Sequence, residues 1–304
     1  MKRFKKPYLW AVTFSILLIA FTAYVLLDAF VIPRSYAVVE NTTTQTATTT
    51  SSATDSSTTD AVATDTTYTD GNISITITTY RENDTNIYVA DITLTDPNDL
   101  LTAFADSTYG KNITDATSAI ASANDAILAI NGDYYSAREG YVIRNGVIYR
   151  DTSSDDTQED LVIYNDGSME IIQEGDVSAE TLLENGATQV LSFGPGLVED
   201  GQIAVTEDEE VGKAMASNPR TAIGMIDSLH YVMVVADGRT DESAGLSLYE
   251  LADFMQSELG VTTAYNLDGG GSSTMYFNGC VVNNPTTNGN EISERSVSDI
   301  VYIK

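Results

Sequence analysis

Basic residues, cysteine and histidine are all scarce in this chain. Its 304 residues carry 15 Lys and Arg against 44 Asp and Glu, a formal net charge of −29. Lys2, Arg3, Lys5 and Lys6 use four of the basic positions, so from Ser35 onward ten basic residues stand against 43 acidic ones. Such a surface repels phosphate backbones and excludes general nucleic-acid binding. The single cysteine, Cys280, excludes a disulfide within the chain and any CxxC zinc site. The single histidine, His230, excludes multi-histidine metal sites. It lies in the apolar run Leu229–Val235, which reads as a strand, and this sets aside Ser-His-Asp and Cys-His catalysis. Chemistry therefore falls to carboxylates, arginines, hydroxyls, backbone amides or a bound hard cation.

The first third of the chain divides by composition. Residues 1–7 form a basic tail. Tyr8 to Ile32 is a 25-residue stretch with one charge, Asp28, long enough to span a bilayer. The basic residues precede it and only Arg34 closely follows it, so the positive-inside bias puts the tail in the cytoplasm and the remainder outside. Ser35-Tyr36-Ala37 resembles a cleavage site for a signal peptide, but the apolar run exceeds a usual signal core. The expectation is a retained single-pass anchor in the cell membrane at residues 8–32, with the rest extracellular. Asn41 to Asp70 holds 14 Thr and 4 Ser in 30 positions, too few large apolar groups for a core. Residues 33–70 are expected to be a flexible linker, and residues 71–304 a catalytic domain.

From Gly71 the pattern becomes that of a folded domain. Ile73, Ile75 and Ile77 alternate with polar residues, and Asn86 to Leu94 repeats the alternation of a half-buried strand. Asn145-Gly146, Asp166-Gly167, Asp200-Gly201 and Asn278-Gly279 mark hairpins, because Asn, Asp and Gly tolerate the positive φ of primed turns. Helices are fewer. The pattern predicts one over Asp115–Asn124 and a second over Leu248–Leu259, started by a Ser247/Glu250 capping box and stopped by Gly260. The fold class is α+β: a mixed β-sheet with several hairpins and few helices, preceded by one transmembrane helix.

Several polar motifs are expected at one sheet edge. Tyr231–Ala236, the Ser247-capped helix and Thr262–Leu267 form a strand-helix-strand unit, whose two strands should run parallel through a right-handed crossover. Their carboxyl ends carry Asp237-Gly238-Arg239 and Asp268-Gly269-Gly270-Gly271-Ser272-Ser273. Ligands of open sheets collect at such ends. A hairpin around Asp227-Ser228 would set Arg220 opposite Ala236 and Asp237. Asn131-Gly132-Asp133-Tyr134-Tyr135 and Glu294-Arg295 flank two more strands. Glycines after Asp268 let backbone amides turn inward, and with the Ser272 and Ser273 hydroxyls these make an anion-binding concavity. Arg220, Arg239 and Arg295 suit a bidentate grip on phosphate. Asp133, Asp237, Asp268 and Glu294 can act as acid, base or nucleophile, or ligate Ca²⁺ or Mg²⁺. Anion grip beside paired carboxylates suits hydrolysis at a sugar C1 whose leaving group is a phosphate.

The residues Asn131–Tyr135, Leu191–Leu197, Asn218–Gly224, Asp237–Arg239, Asn266–Thr274 and Ser293–Val297 together resemble the phosphodiester glycosidase family, in order from Ala119 to Tyr302. That family includes the N-acetylglucosamine-1-phosphodiester alpha-N-acetylglucosaminidases and bacterial members associated with exopolysaccharides. The resemblance implies a hydrolase of glycosyl-1-phosphodiesters. It implies a site near Asn131, Asp133, Arg220, Asp237, Asp268, Gly269 to Ser273, Glu294 and Arg295. In this reading Arg220 and Arg295 hold phosphate, and two of the four carboxylates protonate and activate water. The anchor and the lack of disulfides point to a sugar-phosphate polymer of a cell envelope as the carbohydrate-phosphate partner. Two rival readings stand beside it: a metal-assisted phosphodiesterase that cleaves P–O, and a surface module that binds a glycan without turnover.

Overall fold

The computed structural model describes residues 8–39, 61–154, 157–208 and 217–304. The basic tail at 1–7 and most of the Ser/Thr-rich tract, 40–60, lie outside them. Helix α1 (Leu9–Phe30) is 22 residues long with no buried residue, and it is long and apolar enough to cross a membrane. The other helices among the described residues are α2 (Thr117–Ala123), α3 (Ala179–Glu184) and α4 (Leu248–Ser257). The Ser247/Glu250 capping box starts α4 as expected, with Ser247 Oγ accepting from the Glu250 amide and Glu250 accepting from the Ser247 amide.

Strands dominate the rest. A nine-stranded sheet contains, in spatial order, 202–203, 196–199, Thr263–Asn266, Arg220–Asp227, His230–Ala236, Thr85–Leu94, Ile73–Glu82, Thr67–Thr69 and Val62–Ala63. Two five-stranded sheets pack against it. One centres on Leu128–Asn131 and Asp299–Ile303, the other on Ala187–Leu191 and Glu159–Tyr164. Alternation assigns the two faces of the large sheet. Ile75, Ile77, Ile92, Tyr231 and Met233 point toward the five-stranded sheets and meet Leu128, Ile130, Leu161 and Val301. Val89, Val232 and Val234 point the other way, onto Leu248, Leu251, Phe254 and Met255 of α4. Burying one apolar face of α4 against one pleated face of the sheet is what makes the layer stable.

The crossover is modified by a hairpin. His230–Ala236 and Thr263–Asn266 do run parallel, but Arg220–Asp227 lies between them and pairs antiparallel with both. Every strand ladder among the described residues is antiparallel, so in place of the mixed sheet expected from sequence the sheets are antiparallel. The short Asp227-Ser228 turn explains the insertion, since a local hairpin closes before a longer connection does. Its register sets Arg220 opposite Ala236. Three motifs therefore share one edge of the large sheet.

The flanks of the expected linker are structured. Residues Arg34–Val38 form a strand paired antiparallel with Thr108–Lys111, only three residues beyond the end of α1. Tyr36 packs on Tyr109 at 5.9 Å between ring centroids, and Asn112 Nδ2 donates to the Ile32 carbonyl at 3.1 Å. Residues 62–69 add two short strands at the margin of the large sheet. The backbone of these segments is ordered by ladder hydrogen bonds with the domain, which their composition does not reveal.

Candidate active site

A polar cavity of about 190 Å³ opens at the shared edge. Phe193, Asn218, Arg220, Arg239, Asn266, Asp268, Gly269, Gly270 and Arg295 line it, along with Leu267. Each arginine is held by its own local structure. Arg220 begins its strand, is 3% exposed, and donates from Nε to the Leu246 carbonyl at 2.8 Å. Arg239 donates to Asn218 Oδ1 at 2.9 Å and to the Thr287 carbonyl at 2.6 Å. Arg295 donates to Asp268 Oδ2 at 3.1 Å and to the Gly269 carbonyl at 3.2 Å. Burial, and then the charges of Arg295 and Arg220, push the Arg239 guanidinium below its ordinary value. Three cations brought within each other's field in a strongly acidic chain destabilise one another, and an anion between them would relieve that repulsion.

Three amides of the glycine-rich turn are paired within the protein. The Gly270 amide donates to the Pro219 carbonyl at 2.8 Å, and the Ser272 and Ser273 amides fold back onto Gly269 and Gly270 carbonyls. Gly270 sits at φ +61°, where a Cβ would stand 2.8 Å from Arg239 Nη2. A Cβ on Gly269 would stand 2.9 Å from the Pro219 carbonyl oxygen. Glycine here permits close approach of the turn to Pro219 and Arg239, so its use is steric. Gly271 packs against Thr287 in the same way. Ser272 and Ser273 are both 1% exposed; Ser272 Oγ donates to Asp268 Oδ2 at 2.6 Å and accepts from Arg295, whereas Ser273 Oγ has no hydrogen-bond partner among the described residues.

Of the four carboxylates expected to do acid–base work, Asp268 lines the cavity. Its Oδ2 takes the Ser272 and Arg295 bonds, while Oδ1 accepts none among the described residues. Burial raises its carboxyl above the ordinary range, against the opposing charges of Arg295 and Arg138. The other three are engaged elsewhere. Asp133 is fully buried in an ion pair with Arg144 at 2.8 Å, and it accepts from the Tyr135 and Ser192 amides. Asp237 accepts from the Asn283 side chain at 3.0 Å and the Asn284 amide at 3.0 Å, pinning the segment after the Cys280 hairpin. Glu294 accepts from the Ser118 amide at 2.9 Å and from its hydroxyl, at the first turn of α2. Asn131 is a buried tie: Nδ2 donates to the Asp268 carbonyl at 2.6 Å, and Oδ1 accepts from Thr221 Oγ1 at 2.9 Å. These residues fix the backbone that carries Asp268, Arg220 and Arg239.

Phe193 and Asn266 are two of the four cavity residues, with Asn218 and Leu267, that were not singled out from sequence. Phe193 supplies an apolar wall, with the Arg138 guanidinium carbon 3.7 Å from its ring centroid. Asn266 is 1% exposed; Nδ2 donates to the Gly194 carbonyl at 2.7 Å, and Oδ1 has no hydrogen-bond partner among the described residues. A buried amide oxygen without a donor is uncommon in a folded protein. Both residues belong to the motifs Leu191–Leu197 and Asn266–Thr274, and their strand-end positions were the signal available. Among the described residues no three acidic, histidine or cysteine side chains converge for a metal. One carboxylate beside three arginines is also a poor donor set for a divalent cation.

Asp160 is a further buried acid. Burial, and then the Glu174 charge, push its carboxyl up to about 9. A group whose folded value lies above its unfolded value keeps a proton that the unfolded chain releases. Stability on this account falls as pH rises between about 4 and 9, by at most about 1.4 kcal/mol per pH unit. Asp160→Asn keeps a neutral donor facing Glu174 and cannot ionise when unfolded. Melting temperatures from pH 5 to 8.5 should therefore fall less steeply for Asp160→Asn than for the wild type. Parallel curves would show that Asp160 is ionised in the folded protein.

The part of the chain that resembles known proteins includes these residues. The sequence profile of the phosphodiester glycosidase family matches residues 124–304. The human N-acetylglucosamine-1-phosphodiester alpha-N-acetylglucosaminidase is 33% identical over 183 residues, covering 55% of this chain and 35% of that protein. The SPbeta prophage-derived uncharacterized protein YomE of Bacillus subtilis (strain 168) is 29% identical over 202 residues, covering 65% of this chain and 31% of that protein. The chain thus spans about a third of the length of these curated relatives. Among solved structures, the zebrafish N-acetylglucosamine-1-phosphodiester alpha-N-acetylglucosaminidase catalytic domain, auto-inhibited by its pro-peptide, shares the fold at a TM-score of 0.61 and 21% identity. That likeness covers 76% of this chain and 82% of the zebrafish one. A profile match across well over half of the chain, reaching from just before the strand that carries Asn131 to the last residue, makes this protein a member of the phosphodiester glycosidase family.

Proposed function

We propose that this chain hydrolyses a glycosyl-1-phosphodiester, with the phosphate seated among Arg220, Arg239 and Arg295 and the sugar beside Asp268. The convergence of these three arginines and one carboxylate in a single cavity is the observation that carries the reading. The arginines neutralise charge that grows on the departing phosphate as the C1–O bond breaks. Phosphate leaves well without strong protonation, so a second carboxylate at the leaving group is not required. Asp268 Oδ1 is the oxygen available to activate water, and the raised value of its carboxyl makes it a stronger base than an exposed aspartate. Asn266 Oδ1 accepts from a sugar hydroxyl or amide. Asp133, Asp237, Glu294 and Asn131 position this set without touching the substrate. The relatives named as N-acetylglucosamine-1-phosphodiester alpha-N-acetylglucosaminidases support the bond class. The apolar α1 and the basic residues before it support a catalytic domain held outside the cell membrane, facing an envelope glycan.

Hydrolysis of an N-acetylglucosamine-1-phosphodiester in ¹⁸O-water tests the reading. Label in the released sugar hydroxyl is expected, because attack falls on C1. Label in the phosphate would assign P–O cleavage and sink the proposal.

A further inference from the structure

The end of the membrane helix and the loop leaving the cavity floor face each other. Ala29 and Phe30, at the last turn of α1, form one wall of a cleft of about 540 Å³, and Lys111, Tyr134, Ala137 and Arg138 form much of the other. The domain is fixed there by the Arg34–Val38 strand and by Asn112, which donates to the Ile32 carbonyl just past α1. The cleft therefore lies where α1 would leave the bilayer.

Its lining has an unusual composition for this chain. Tyr134 is 39% exposed, so aromatic surface is left open beside the end of α1. Tyr134 also sits at φ +60°, a left-handed conformation rare for an aromatic residue. Lys111 and Arg138 are two of the few basic residues beyond Ser35, and one carboxylate, Glu139, shares the rim. Arg138 joins the cleft to the cavity. It stacks on Phe193, donates to the Phe193 carbonyl at 3.1 Å, and its charge reaches Asp268. The backbone takes the same course: the Asp268 amide donates to the Gly132 carbonyl, and the chain runs on from Gly132 through Tyr134 to Arg138.

We propose that this cleft receives the membrane-side half of an amphiphilic substrate, a glycosyl phosphodiester whose phosphate joins the sugar to a lipid. The apolar helix end and Tyr134 meet the first part of the hydrocarbon chain. Lys111 and Arg138 attract the anionic linkage. Arg138 and Phe193 pass the sugar phosphate to the three arginines. The inference rests on the reading of the cavity as a glycosyl phosphodiester site, and it adds the class of the aglycone.

The test compares two probes, the methyl and hexadecyl diesters of N-acetylglucosamine 1-phosphate, with the full chain reconstituted in phosphatidylcholine nanodiscs. The wild type is expected to favour the hexadecyl diester by roughly tenfold or more in kcat/KM, the scale of about 1.4 kcal/mol. Partition of the long probe into the bilayer would raise that ratio without any cleft, so variants decide. Ala137→Trp fills the cleft and Lys111→Glu reverses a charge in it; melting temperatures establish that both fold. Ala137→Trp should bring the ratio down several-fold, whereas Lys111→Glu acts on the anion that both probes carry and should lower kcat/KM for both. A ratio unchanged in Ala137→Trp overturns the cleft and leaves the cavity reading standing. No turnover of either probe by the wild type overturns the cavity reading and this inference with it.

Discussion

Arg220→Ala is expected to lower kcat/KM for a glycosyl-1-phosphodiester by about a hundredfold or more, the scale of about 3 kcal/mol for lost charge-assisted hydrogen bonds. Arg220→Lys keeps a cation but loses the planar two-donor fork, and should cost roughly tenfold. The fold is affected too, because Arg220 is 3% exposed and holds the Leu246 carbonyl. Its removal forfeits that bond and empties buried volume. It also relieves the mutual repulsion with Arg239 and Arg295. These effects oppose each other, so the melting temperature should move far less than activity does. Such a trade of local strain for function is common in binding sites. The measurement is kcat/KM for both variants beside their melting curves. Near wild-type turnover by Arg220→Ala, with the fold intact, would remove Arg220 from the phosphate grip.

Arg144→Met should damage stability more than any substitution in the cavity. Arg144 is buried and donates from Nη2 to Asp133 at 2.8 Å and to Asp299 at 2.9 Å. Burial, and then the Asp133 charge, already raise the Asp299 carboxyl to about 7. Without the guanidinium, two carboxylates would be left buried beside each other. Breaking such a set from one side costs about 3–5 kcal/mol, a drop in melting temperature on the order of 10 °C for a domain of this size. The sign of the pH effect follows. Carboxyls whose folded values are raised bind protons that the unfolded chain gives up, so stability is lost as pH rises. The deficit of Arg144→Met should therefore grow from pH 5 to pH 8. Adding Asp133→Asn and Asp299→Asn should recover part of it, since neutral amides carry a far smaller burial cost. A deficit that stays constant with pH would mean that packing, and not charge, is what Arg144 supplies.

Local rules fixed a good part of this molecule. Alternation in Ile73–Ile77 placed a strand and its buried face, because side chains on a pleated backbone repeat every second residue. Ser247 and Glu250 located the start of α4, because four amides at a helix start need acceptors from nearby in sequence. The tight turn at Asp227-Ser228 set Arg220 opposite Ala236, because register follows from turn length. The edge that gathers Arg220, Arg239 and Asp268 was legible for the same reason. What each carboxylate does was not legible. Asp133, Asp237 and Glu294 sit in motifs that look as chemical as the one around Asp268. Their partners arrive from far along the chain: Ser192 lies 59 residues from Asp133, Asn283 lies 46 from Asp237, and Ser118 lies 176 from Glu294. A carboxylate is open to substrate or consumed as a tie according to which donors the packed sheets bring to it, and sequence spacing carries no record of that. The arginines obey the same physics. Composition shows how few cations the chain has, while only the folded sheet edge brings three of them within each other's field.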